Sequence, residues 1–417
     1  MKNTMPTFPI ARIRVAAVGL AAAIAVMLAG CAGASVEPTA TPLPRPDLSL
    51  SIGALLPRTG SLAAFGPSAQ AGFDLAVQEI NDANVGLTVV ASSQDAGDAT
   101  TDIGIASATT LIDSGVSAIV GAISDGVSKK VIDQIVNAGV VQVSPGNISP
   151  DFTRYADDNL YWRTAPSCAR EGSALGEQIA ESGVQTLGIL YQSGYCEPGL
   201  PEAVADAFER AGGTVVSSVA FDAASTSLPA QVAEVVASSP AAVAVVTPTL
   251  AKLAVPDLTA AGFTGDELYF VGLPISDQGA DFAAGSLTGA TATRPGLDLS
   301  ALTDFTGRLL EINPALTDFS YAAESYDAVM LVALAALAAE NTSGVAIAGR
   351  LQEVSGGVGG GEKATTFEQA ARVILEGNAV DYDGPSGPIT FDENGDPADA
   401  VIGLYTYGAD NVFTRIN

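Results

Sequence analysis

The 417 residues include no histidine and three cysteines, Cys31, Cys168 and Cys196, against 46 Asp+Glu. Without histidine there is no Ser-His-Asp triad, no His-ligated zinc and no common proton shuttle near neutral pH. Neither Gly-x-Ser-x-Gly nor Ser-x-x-Lys occurs, so a serine nucleophile would lack its activating base. Paired carboxylates could serve a glycosidase, but a chain this acidic brings such pairs together by accident. Gly356–Gly361, followed by Glu362 and Lys363, lacks the Gly-Lys-Ser/Thr order of a phosphate loop and reads as flexible loop. Asp392-Glu-Asn-Gly-Asp396 lacks the ligand series and closing Glu of a calcium loop, and reads as a hairpin turn. The chemistry expected is therefore binding, not catalysis, with no metal and no cofactor.

The cysteines have separate readings. Lys2, Arg12 and Arg14 precede the apolar run Val15–Leu28. That run is shorter than the roughly 20 residues of a membrane span and reads as the core of a secretory signal. It ends in Leu28-Ala29-Gly30-Cys31, which resembles the bacterial lipobox. Residues 1–30 are thus expected to be a lipoprotein signal peptide, and Cys31 the lipidated residue that anchors an extracytoplasmic protein to its membrane. Residues 31–47, rich in Ala, Thr and Pro, read as a tether. Removing residues 1–30 takes away three basic and no acidic residues, so the net charge goes from −28 to −31. Cys168 and Cys196 would then remain in an oxidising compartment, either paired as a disulfide or buried as free thiols.

With 18 Lys+Arg, the chain is poorly suited to nucleic acid, whose phosphates need neutralising cations. A 48% hydrophobic composition supports a sizeable core. The elements that must position any binding residues follow a regular alternation. Strand-like segments at Leu48–Ile52, Leu87–Ala91, Ala118–Val120 and Val140–Val143 alternate with helical stripes. Those stripes are Phe73, Ala76, Val77 and Ile80, then Ile105, Ala108, Thr109 and Ile112, then Val131–Val136. The alternation starts again with Leu187–Tyr191, the stripe Val204, Ala207, Phe208 and Ala211, and strands Thr214–Val219, Ala242–Val246 and Leu268–Val271. Two such runs predict an α/β protein of two doubly wound parallel-sheet lobes. Ligands of such sheets bind beyond the carboxyl ends of the strands. Here those ends lead into loops at Pro57–Gly66, Gly121–Ser128, Ser144–Pro150, Gln192–Gly199 and Thr247–Leu250.

Six segments then carry a family likeness. They are Ile52-Gly-Ala-Leu-Leu-Pro-Arg-Thr-Gly60 with Phe65-Gly66 and Glu79-Ile-Asn81, Ile119-Val-Gly121, Val143-Ser-Pro-Gly146, Tyr161-Trp-Arg-Thr-Ala165, Tyr326-Asp-Ala-Val329, and Gly384-Pro-Ser-Gly-Pro-Ile-Thr-Phe-Asp392. Taken in order from about residue 48 to the C-terminus, they resemble the leucine/isoleucine/valine-binding protein family. The resemblance implies the type I periplasmic-binding fold, two lobes joined by three crossovers and closing on a ligand. It places one lobe at 48–165 plus 294–380 and the other at 166–293 plus 381–417. It also implies a monomeric solute receptor that hands a small polar ligand to an ABC permease, or one of the same fold that presents it to a sensor.

In that family a hydroxyl and backbone N–H groups hold the ligand's carboxylate, and a tyrosine and a glutamate hold its ammonium. Carried over by position, the ligand contacts are Phe65, Asp125, Gly126, Gly146, Asn147, Ile148, Tyr195, Thr249 and Tyr321. Asp125 stands at the hydroxyl position, Cys196 at the tyrosine and Pro274 roughly at the glutamate, so this chain departs from the family there. A carboxylate at 125 would repel the carboxylate of an α-amino acid bound in the usual way. It suits a cationic, amide-like or hydroxylated ligand. Alternatively, Ser124 or Asp125 caps a helix beginning near Ser128. A disulfide between Cys168 and Cys196 would rigidify the rim of the second lobe.

Overall fold

The computed structural model describes residues 47–196, 199–247, 250–271, 282–297 and 302–417. The signal segment, Cys31, nearly all of the tether, Thr249 and Pro274 lie outside the described residues. Strands β1 (Leu48–Leu56), β2 (Leu87–Asp95), β3 (Ala118–Gly121), β4 (Val141–Ser144) and β5 (Tyr161–Arg163) form one sheet. Its order is β2-β1-β3-β4-β5, with every pair parallel. Strands β6 (Thr186–Gln192), β7 (Thr214–Phe221), β8 (Ala242–Val246), β9 (Leu268–Val271) and β10 (Thr291–Pro295) repeat that winding as β7-β6-β8-β9-β10. A small parallel pair, β11 (Glu362–Ala364) with β12 (Val380–Tyr382), stands apart. Antiparallel β13 (Ile402–Tyr407) and β14 (Phe413–Arg415) extend the second sheet past β10.

Both sheets therefore change direction of winding between their first and third strands, the switch point at which ligands of doubly wound sheets bind. In the first sheet that point opens between the ends of β1 and β3; in the second, between β6 and β8. The central strands are buried on both faces, which is why β3, β8 and β9 are continuous apolar runs with little alternation.

Helices fill the crossovers. α1 (Gly66–Ala83), α2 (Ile103–Asp113) and α3 (Asp125–Asn137) serve the first sheet; α4 (Cys168–Glu181), α5 (Leu200–Arg210), α6 (Pro229–Ala237) and α7 (Ala251–Ala260) serve the second. The predicted stripe of α1 is the face that packs, with Phe73, Ala76 and Ile80 buried against Leu50 and Ile52 of β1. α3 starts at Asp125, three residues before the expected start, because the Ser124 hydroxyl accepts the Val127 N–H at 3.4 Å and caps the first turn.

After β10 the chain returns to the first core through α8 (Thr303–Ile312), α9 (Ala322–Ala339), α10 (Gly344–Val354) and α11 (Phe367–Leu375). After Asp327, α9 is apolar on all sides, so periodicity gives no sign of it, and it is buried nearly all round. It is long and apolar enough to cross a membrane, yet 83% of it is buried inside the protein, as in a core helix.

The crossings between the sheets fall a little later than the lobe boundaries expected from the resemblance. β10 runs to Pro295 within the second sheet, past a boundary at 293/294. Tyr382, Ile389 and Phe391 are buried in the first core, past a boundary at 380/381. The reason is local: the Tyr382 hydroxyl donates to the buried Asp327 carboxylate of α9 at 2.8 Å and holds this stretch to the first core.

Candidate functional site

The loop after β3 and the loop after β4 are built as one unit. Asp125, the first residue of α3, uses Oδ1 to accept the backbone N–H groups of Ile148 (3.0 Å) and Ser149 (3.4 Å). Capping thus falls to Ser124, while Asp125 staples the second loop to the first. Burial pushes the Asp125 carboxyl up, and the two N–H groups and the Arg163 charge pull against that. Its Oδ2 takes part in no hydrogen bond among the described residues. Ser144 Oγ lies 2.7 Å from the Ala122 carbonyl, to which it donates, and accepts from Asn147 N–H at 2.9 Å.

Asn147 is fully buried, its amide donating to the Ile123 carbonyl at 3.1 Å and accepting from the Tyr161 hydroxyl at 2.7 Å. It is a scaffold residue here and offers nothing to a ligand. Gly126 meets the preceding loop closely: a Cβ would stand 2.6 Å from that of Ala99. Its glycine character is accounted for by helix–loop contact.

Tyr321 is the centre of the arrangement. It occupies the left-handed region at φ 62° just before α9, and its ring lies edge-on to Phe65 at 5.4 Å between centroids. The Ser68 hydroxyl sits 3.0 Å from the Phe65 carbonyl and 2.7 Å from the Ser320 carbonyl, which ties the two aromatic positions together. A Cβ on Gly146 would come within 3.1 Å of the Tyr321 ring and 2.6 Å of the Ile123 side chain, so only glycine lets that loop lie against the aromatic pair. The structure thus brings Phe65, Gly146 and Tyr321 together, with Asp125 alongside.

The second sheet contributes from the other side. Cys168, at the start of α4, and Cys196, in the loop after β6, form a disulfide with 6.5 Å between their Cα atoms. The Cys168 N–H donates to the Ile148 carbonyl at 3.0 Å. Ile148 itself packs against the second core with Tyr195 and Cys196. Ile148 is therefore a bridge between the two sheets, and not a free ligand contact. Burial raises the Tyr195 hydroxyl's pKa, followed by the charge of Glu171 and the nearby Tyr321 and Asp125. Tyr195 and Tyr321, from loops of different sheets, are thus near enough for the charge of one to bear on the other.

Three further residues whose charges reach these tyrosines have no signature in the sequence pattern. Glu171, on α4, is buried and accepts from the Thr293 hydroxyl at 3.1 Å. Glu324, in the first turn of α9, has its Oε2 shut off from solvent with no hydrogen-bond partner, and burial raises its pKa against the pull of its own backbone N–H and then of Arg294. Arg294, on β10, is exposed and forms no hydrogen bond or ion pair among the described residues. Tyr321 is raised first by burial; Glu324 and Asp125 add to that and Arg294 opposes it.

Behind the site, Arg163 at the end of β5 is fully buried. Its guanidinium grips Asp396 through Nε and Nη2 at 2.6 and 2.7 Å and donates from Nη1 to the carbonyls of Asn147 and Ser149. The Asp392–Asp396 turn is built by Asp392 accepting the N–H groups of Asn394 and Asp396, which leaves the Asp396 carboxylate for Arg163. Arg163 thus ties the 161–165 segment to the turn just after 384–392, and Asp327 ties 326–329 to 384–392 by accepting from Ser386 N–H and hydroxyl.

The family model described as Periplasmic binding protein matches residues 49–405. The chemotactic signal transduction system substrate-binding protein BasB of Halobacterium salinarum is 28% identical over 357 residues, covering 82% of this chain and 83% of that protein. Leu/Ile/Val-binding protein homolog 3 of Brucella melitensis is 30% identical over 176 residues, 40% of this chain and 46% of that one. In structure, an ABC transporter substrate-binding protein from Desulfitobacterium hafniense in complex with Leu superposes with a TM-score of 0.63 at 22% identity, covering 88% of this chain and all of that one.

Proposed function

Because the chain belongs to the periplasmic binding protein family, we propose that it is the extracytoplasmic substrate-binding component of an ABC importer of the branched-chain amino acid type. It captures a small polar solute, an amino acid, amide or amine, between two closing lobes, and is held to the membrane by lipidated Cys31. The observation that carries this reading is the convergence of loops from both switch points on Tyr321. Phe65, Gly146 and Asp125 come from the first sheet, and Tyr195 from the second. A ligand seated there touches both lobes and so favours their closed arrangement by its differential affinity for it.

Thermal shift of the purified protein against amino acids, amides, polyamines, quaternary amines, polyols and nucleosides tests the reading. A ligand at about 100 times its Kd stabilises the native state by roughly 2.7 kcal/mol. Tyr321→Ala removes that shift if the cleft is the site; a shift that survives the substitution places the ligand elsewhere.

A second reading has an observation of its own. The relative from Halobacterium that spans most of this chain is described as part of a chemotactic signalling system. In that reading the closed protein is presented to a membrane receptor. Deleting the gene abolishes uptake of the ligand under the import reading. Under the sensing reading it abolishes the behavioural response and leaves uptake intact.

A further inference from the structure

The charged groups around Tyr321 do not neutralise one another. Glu324 presents an oxygen that is closed to solvent and has no donor. It is fixed there by its backbone carbonyl, which accepts from the Thr164 hydroxyl at 2.9 Å, and its Oε1 lies 3.8 Å from where a Cβ on Gly296 would stand. It therefore sits among the first turn of α9, the end of β5 and the end of β10. Asp125 has spent Oδ1 on the Ile148 and Ser149 N–H groups and keeps Oδ2. Arg294, two residues before Gly296, is exposed and has no hydrogen bond or ion pair among the described residues. The charges of all three bear on the Tyr321 hydroxyl.

The neighbouring acids are otherwise occupied: Glu171 is bonded by Thr293, and exposed Asp318 accepts from Ser320 N–H and hydroxyl. Among the described residues, what is left is two carboxylates and one guanidinium, each short of a partner and each with its charge bearing on Tyr321. A buried carboxylate oxygen without a donor is costly, so a site of this kind is completed by a ligand that supplies the donor.

Resting on the reading of this cleft as the ligand site, we infer that its preferred ligand is an amino acid with a second, cationic nitrogen group on its side chain. Arg294 takes the ligand's carboxylate, which a planar fork of donors does well. Glu324 and Asp125 take its two nitrogen groups, and the aromatic pair of Phe65 and Tyr321 lies beside the cation. Two negative charges and one positive charge in the protein meet two positive charges and one negative charge in the ligand. The arrangement departs from the family's mode, in which the carboxylate lies against the position Asp125 now holds.

The test is isothermal titration of the full chain and three variants with arginine, its decarboxylated analogue agmatine, leucine and tetramethylammonium. Wild type is expected to bind arginine at least about tenfold more tightly than leucine, and tetramethylammonium, which has no N–H to give Glu324, not at all. Arg294→Gln should weaken arginine by about tenfold or more and leave agmatine unchanged. Glu324→Gln, which keeps the side chain's shape, should weaken both. Leucine binding as tightly as arginine, no binding of arginine, or an equal loss of arginine and agmatine in Arg294→Gln, would overturn the inference. Tyr321→Ala separates the two levels. If it abolishes binding while Arg294→Gln and Glu324→Gln do not alter it, only the charge assignment falls. If binding persists in Tyr321→Ala, the cleft reading falls as well. Circular dichroism melts of each variant confirm that folded proteins are being compared.

Discussion

Asp327 shows how much a single side chain can depend on its surroundings. It is fully buried in α9 and accepts from Tyr382, from Ser386 N–H and from the Ser386 hydroxyl. Burial lifts its pKa from 3.8 to about 7, against the pull of those bonds, with Glu324 adding to the rise. The fold thus favours the protonated acid. Its contribution to stability is fully present below about pH 4 and is lost as pH rises through about 7. Comparing Asp327→Asn with wild type by urea unfolding should therefore show wild type losing ground as pH rises over that window. The relative slope is at most about 1.4 kcal/mol per pH unit. Parallel pH profiles of the two proteins would mean that Asp327 ionises in the fold as readily as in the unfolded chain.

At the level of elements, the disulfide joins the start of α4 to the loop after β6, and that loop carries Tyr195. The bridge closes a loop of 28 residues. Cross-links of that span stabilise by roughly 3 kcal/mol through the unfolded chain, and ordering the loop beforehand lowers the cost of ordering it on the ligand. The double variant Cys168→Ser, Cys196→Ser should lose about that much stability in guanidinium unfolding and release ligand severalfold faster. An unchanged unfolding midpoint would show that the Ile148 bridge alone holds the loop.

Across the whole molecule, the decisive contact is the Arg163–Asp396 pair. It joins the first crossing of the chain to the last and reaches forward to the carbonyls of the loop that Asp125 holds. One guanidinium thus joins these crossings to the loops of the candidate site. Asp396→Ala leaves a guanidinium buried without its carboxylate, which costs about 3–5 kcal/mol. A urea titration checks this, and a loss below about 1 kcal/mol would show that water or Thr153 replaces Asp396.

The residues themselves determined a good deal. Alternating apolar runs and stripes forced two parallel-sheet runs, because each strand must bury two faces and each helix one. Gly-, Ser- and Pro-rich loops at strand ends marked where a ligand could sit, and the missing histidine removed whole classes of chemistry. The positions of Phe65, Tyr321, Gly146 and Asp125 were legible through their order along the chain. Tertiary structure decided the rest. α9 had no period to read, since a helix buried all round needs none. Asn147 and Ile148 stood among the expected ligand contacts, but one turns into the scaffold and the other into the second core; a loop's side-chain directions follow from packing across the chain. Glu324 follows Tyr321 by three positions, but Arg294 lies thirty positions before Glu324 and matches no pattern, and only the fold brings its charge to bear on Tyr321. Charge becomes specific through neighbours and burial, and those are properties of the folded chain.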